Sequence, residues 1–66
     1  MNDRIDFITY CLEEYKCAKK LSGKEVIELF NHYNVIDYIR RYYDALHTTG
    51  SKYIVDDIDQ YILNRK

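Results

Sequence analysis

Apolar and polar positions alternate with a helical period along most of the chain. The pattern is sharpest between Leu21 and Gly50, LSGKEVIELFNHYNVIDYIRRYYDALHTTG. Val26, Leu29, Phe30 and Tyr33 recur at three- and four-residue spacing, the signature of one buried helix face. Ser22 with Glu25 three residues on is a capping box, in which each residue's side chain satisfies the other's backbone N–H. Leu21 and Val26 flank it as a hydrophobic staple. Asn34 is the natural break, since asparagine tolerates the left-handed conformation that ends one helix and also caps a following one. A second stripe follows, Val35, Ile36, Ile39, Tyr42, Tyr43 and Leu46, with Asp37 near the positive end of the helix dipole. Thr48, Thr49 and Gly50 stop it, and glycine there is free to take a positive φ. The stretch therefore predicts a helical hairpin, residues 22–33 and 35–47.

Residues 3–20 predict a helix before the hairpin, with Asn2 or Asp3 as its cap. Ile5, Ile8, Leu12 and Tyr15 make its stripe, and Phe7, Cys11 and Ala18 widen it, so the helix is expected to pack on more than one neighbour. Lys16, Lys19 and Lys20 at its end and Asp3 and Asp6 at its start match the dipole. Tyr10 falls outside the face. After Gly50, Ser51 to Ile54 reads as extended. Asp56, Asp57 and Asp59 then crowd the first turn of a last helix, whose inner residues are Val55, Ile58 and Ile62, with Tyr61 and Leu63 beside them. The expected fold is all-α, a compact bundle of four short helices with a central hairpin and an irregular link before the last helix, in a single domain spanning residues 1–66.

Composition narrows the function. Apolar residues make up 47% and charged residues 32%, with no proline and two glycines, which fits a globular helical domain. A chain this short buries only about 60% of its unfolded surface, so its core is marginal. The net charge of −1, spread over interleaved acids and bases, gives no footprint for nucleic acid. No apolar run is long enough for a membrane span, and MNDRIDF lacks a signal peptide's apolar core. A cytoplasmic location is expected, with no membrane and no nucleic-acid partner.

Candidate chemistry is sparse. Cys11 and Cys17, six apart on one helix, point to separate sides and stand about 9 Å apart, too far for a disulfide; they read as small hydrophobes. Asp56, Asp57 and Asp59 lack the glycine turn and ligand number of a calcium loop and read as a solvated helix start. His47 with Asp44 and Thr48 resembles a base with its orienter, but no nucleophile accompanies them. His47 and His32, each in a last helical turn, read as caps on carbonyls. No phosphate loop or dinucleotide fingerprint is present, so no enzyme, cofactor or metal is expected. The hairpin has the size of a helix-turn-helix, yet Asp37 and Asp44 share the face that would offer Arg40 and Arg41 to phosphates. The eight tyrosines fit either an interface, where tyrosine is enriched, or scattered surface aromatics, which are common. Phe7, Tyr38 and Tyr61, at the stripe edges, are the candidate partner-binding residues of a homodimer or of a complex with another protein.

Four motifs, E-Y-K, L-S-G-K-E-V-x-x-L-F, Y-D-A-L-H-T-T-G and Y-I-V-D-D-I, occur in this order between about Ile5 and Arg65. In this the chain resembles a family of small bacterial proteins catalogued only as a domain of unknown function. The resemblance marks Tyr43, Asp44, Leu46, His47, Thr48, Thr49 and Gly50 as signature residues without assigning them a role. Genes of that family often neighbour a second small gene whose product looks like an ADP-ribosyltransferase-type toxin, so the resemblance implies an antitoxin-like or regulatory partner. The expected function is a small intracellular protein–protein interaction module, with a helix-turn-helix DNA-binding regulator as the alternative.

Overall fold

Ser22 and Glu25 form the reciprocal cap that their spacing predicts. The Ser22 hydroxyl accepts from the Glu25 N–H at 3.1 Å, and Glu25 Oε1 accepts from the Ser22 N–H at 2.9 Å. Those two bonds favour the ionised carboxyl and hold Glu25 below the usual carboxylate range. The helix they open, α2 (Gly23–His32), is one of five in a computed structural model that describes residues 3–66. The others are α1 (Asp3–Lys19), α3 (Val35–Arg41), α4 (Tyr43–Leu46) and α5 (Ser51–Leu63). The expected Asn2 cap lies outside the described residues. Ser22→Ala is expected to cost about 1 kcal/mol, the usual loss for an N-cap. Overlaying denaturant melts of mutant and wild type would show that Ser22 does not cap.

Both ends of α2 hang on left-handed residues. Asn34 has φ 57°, as its role as a break predicts, but its side chain makes no cap hydrogen bond. Capping requires an extended backbone from which the side chain reaches forward, and the left-handed turn removes it. Lys20 also has φ 57°. It closes α1 in a Schellman turn, with the Leu21 N–H bonded to the Lys16 carbonyl at 3.1 Å. A lysine there gives no sequence signal, because glycine is the usual occupant.

The single helix expected over residues 35–47 is broken at Tyr42, whose φ of −105° and ψ of 24° separate α3 from α4. The break turns Tyr43 edge-on to Phe7, at 5.4 Å between ring centres, while Tyr42 rests on Tyr38 at 5.1 Å. Tyr42 is therefore a half-exposed residue and not an inner one.

The extended link expected at Ser51 to Ile54 is helical. Ile54, Val55, Ile58 and Ile62 are all buried on one face of α5, and that face needs the helix to begin at Ser51. Four residues are too few to separate a period of two from one of 3.6; Tyr53 lies off the buried face and is 74% exposed. Gly50 is extended at φ −78°, not left-handed, and stands at the N-cap of α5. The irregular link shrinks to residues 47–50, and the aspartates fall in the body of the helix, not its first turn.

The fold is an all-α bundle. Cys11 and Tyr15 of α1, Val26 and Phe30 of α2, Val35 and Ile39 of α3 and the four α5 residues form one buried cluster. Helix α1 packs on α2, α3 and α5. Its buried line runs through Tyr15 of the expected stripe and Cys11 of the side that widens it, so Ile5 at the far edge is left 59% exposed. Cys17 is exposed, not half-buried, and both thiols are free.

Candidate functional site

The corner between α4 and α5 is built from side chains that close their own turn. Thr48 Oγ1 donates to the Ala45 carbonyl at 3.0 Å and Thr49 Oγ1 to the Leu46 carbonyl at 2.8 Å. His47 Nδ1 lies 2.8 Å from the Tyr43 carbonyl, so this ring nitrogen carries the proton and caps the helix end as expected. The ring also stacks on Tyr43 at 4.6 Å. Leu46 is buried, and Gly50 accepts from the Ile54 N–H at 3.1 Å. Asp44 is exposed and hydrogen-bonds to neither His47 nor Thr48. His32 makes no carbonyl cap; its ring meets Tyr33 edge-on at 4.6 Å. The signature residues thus end one helix and aim the next.

Two tyrosines fix α5 against the rest of the bundle. Tyr15 donates to Asp59 at 2.6 Å, and Lys19 Nζ reaches the other oxygen of that carboxylate at 2.7 Å. Tyr38 donates to Asp57. Burial, then the hydrogen bond to each carboxylate, pushes both phenols well above their ordinary value. Burial likewise pushes the Cys11 thiol up to about 12, with the Glu14 carboxylate adding to it. Asp57 and Asp59 were read from sequence as solvated; they are instead acceptors for partners on α1 and α3.

Of the three expected partner-binding residues, two meet. Tyr38 and Tyr61 stack at 4.1 Å, and Arg65 covers Tyr61 at 3.8 Å from its centroid. The Tyr61 hydroxyl donates to the Tyr33 carbonyl at 2.9 Å. Phe7 belongs to a separate group with Tyr43 and Tyr10. All three are partly buried against the core.

A broad concavity lies beside the corner, between the last turns of α1 and the first turns of α5. It holds about 560 Å³ and is lined by Glu14, Cys17, Ala18 and Lys19 facing Ser51, Lys52, Val55, Asp56 and Asp59. Lys19 and Asp59 pair with each other across it at 2.7 Å. Glu14, Lys52 and Asp56 have no ion-pair or hydrogen-bond partner among the described residues. Their meeting in one groove is not legible in sequence, because the groove exists only once α5 begins at Ser51. Among the described residues no group of three or more histidines, cysteines or acids is placed to hold a metal ion.

Residues 6–65 match the family described as protein of unknown function (DUF3791). The chain belongs to the DUF3791 family. No curated protein and no solved structure matches it. The DUF3791 match takes in the α4–α5 corner and both walls of the groove, so all of these features lie within the family's span.

Proposed function

We propose that this DUF3791 protein is a small protein–protein interaction module, an antitoxin-like or regulatory partner of another protein in the cytoplasm, and that it acts by binding and not by catalysis. The observation that carries the reading is the α1/α5 groove, where unpaired Glu14 and Asp56 outnumber unpaired Lys52 around apolar side chains of Ala18 and Val55. A basic side chain set among apolar ones on a partner would satisfy both features, because free rim charges steer association and buried apolar contact holds it. Cys17 at the rim is exposed whereas Cys11 is buried, so a photo-crosslinker placed on Cys17 reports from the groove alone. The expected result, on the protein co-expressed with the product of its neighbouring gene, is a crosslinked complex that the double charge reversal Glu14→Lys, Asp56→Lys abolishes. A complex indifferent to that reversal would show that the groove is not the interface.

The helix-turn-helix alternative gains little from the geometry. Arg40 and Arg41 both lean on Asp37, at 3.8 and 3.3 Å, so the arginines of the would-be reading helix are offset by an acid on the same face. No duplex DNA binding is expected near physiological salt. An affinity tighter than the roughly 10⁻⁴–10⁻⁶ M of ordinary non-specific binding, read in a shift assay, would reverse this. Among the described residues no helix is long and apolar enough to cross a membrane.

A further inference from the structure

Away from the α1/α5 groove, the opposite flank of α1 carries a knob and a hole. The knob is Ile5, 59% exposed. The hole is a dent of about 110 Å³ between α1 and α2, lined by Thr9, Leu12, Glu13, Lys16, Gly23, Val26 and Ile27. Its lining is aliphatic apart from the rim pair Glu13 and Lys16, which hold each other at 3.4 Å. Thr9 does not spoil the apolar surface, because its hydroxyl is turned back to the Ile5 carbonyl at 3.1 Å and leaves the methyl outward. Gly23 lines the hole, and a Cβ built there meets nothing within 4 Å, so the space in front of it is free. Ile27, 49% exposed, forms one wall.

We propose that this face binds a second copy of the chain, with Ile5 of each copy seated in the α1/α2 hole of the other about a two-fold axis near Thr9. The spacing supports it. Ile5 and the hole's centre, beside Leu12, lie about 11 Å apart along one helix at 1.5 Å per residue. Two antiparallel copies of α1 related by an axis midway between them place each knob over the partner's hole, the self-complementary arrangement that a two-fold interface demands. The charges agree with that direction. Asp3 and Asp6 begin α1, and Lys16 near its end stands at the rim of the hole, so the antiparallel approach brings each acidic turn toward the partner's lysine and lays the two helix dipoles antiparallel. A parallel approach would oppose like ends.

A second copy leaves the α1/α5 groove open, so the two interfaces are independent and can fail separately. The test is sedimentation equilibrium of the full chain over a wide concentration range, run on the wild type and on two variants that spare the core. Ile5→Lys removes an exposed knob, and Gly23→Leu fills the hole from a position with free space. Each is expected to raise the dimer dissociation constant by about 30-fold or more, the loss typical of an interface hot spot, with helical circular dichroism unchanged. Thr9→Cys, in a Cys17→Ser background, is expected to form a disulfide-linked dimer on oxidation, because the axis brings the two copies of residue 9 together. A wild-type chain that is monomeric throughout, or a dimer that neither variant weakens, would overturn the proposal. Either result leaves the groove reading standing, since that is scored by the charge-reversed crosslink.

Discussion

Phe30→Ala is expected to leave the protein largely unfolded at room temperature. Phe30 is 0% exposed and meets Tyr15 edge-on at 5.3 Å, where α1 and α2 face each other. Truncating a buried phenylalanine costs about 3–5 kcal/mol, through lost transfer energy and the cavity left behind. Whole-domain stability runs at about 0.05–0.15 kcal/mol per residue, or roughly 3–10 kcal/mol for a chain of this length. The loss is thus comparable to the total. Far-UV circular dichroism and urea melts measure it, with Ile27→Ala, on the half-exposed wall of the hole, as a comparison expected to shift folding stability far less. A Phe30→Ala melt within about 1 kcal/mol of wild type would mean that the core is not centred on this ring.

Raising the pH from 8 to 11 is expected to remove several kcal/mol of stability, on the order set by the pKa difference between folded and unfolded states. Cys11 is the clearest contributor. In the unfolded chain its thiol ionises near 9.0, whereas in the folded protein burial pushes it up to about 12. Its contribution is complete below 9.0 and declines as the pH rises toward 12, because the unfolded chain then releases a proton that the folded one retains. At about 1.4 kcal/mol per pH unit, the loss approaches 3 kcal/mol by pH 11. Tyr15 and Tyr38, both raised, act in the same sense above the ordinary phenol value, near pH 10. Urea midpoints measured from pH 7 to 11 under reducing conditions test this. Cys11→Ala should start less stable and fall less steeply between pH 9 and 10. Identical slopes for the two proteins would show that the thiol is not desolvated.

Features encoded within one turn of chain were legible in the sequence. The capping box at Ser22, the left-handed break at Asn34 and the cap at His47 each join residues three or four apart, and local spacing is all that such a bond requires. The buried positions of the hairpin followed from periodicity alone, Tyr42 excepted. What was not legible depends on partners distant in sequence. Tyr15 meets Asp59 across 44 residues and Tyr38 meets Asp57 across 19; nothing near either tyrosine announces an acid on another helix. The rotation of α1 toward Cys11 is of the same kind, since its apolar face is broad and the three helices packed on it decide which part is buried. Lys20 is illegible for a different reason, because glycine is the usual left-handed residue at a helix end and a lysine there announces nothing. The groove inherited the error at Ser51, and so its unpaired charges stayed hidden.

The chain has no tryptophan and eight tyrosines, so its ultraviolet optics belong to the phenols. Tyr15 and Tyr38 each donate a proton to a carboxylate, a geometry that quenches tyrosine emission by drawing the excited phenol's proton away. The face-to-face pair Tyr38 and Tyr61, 4.1 Å apart, couples two transition dipoles in a fixed chiral arrangement. The folded protein is thus expected to emit dimly and to show near-ultraviolet dichroism, and unfolding is expected to brighten it as that dichroism collapses. The closure of α5 onto α1 and α3 can be followed in real time with no label attached.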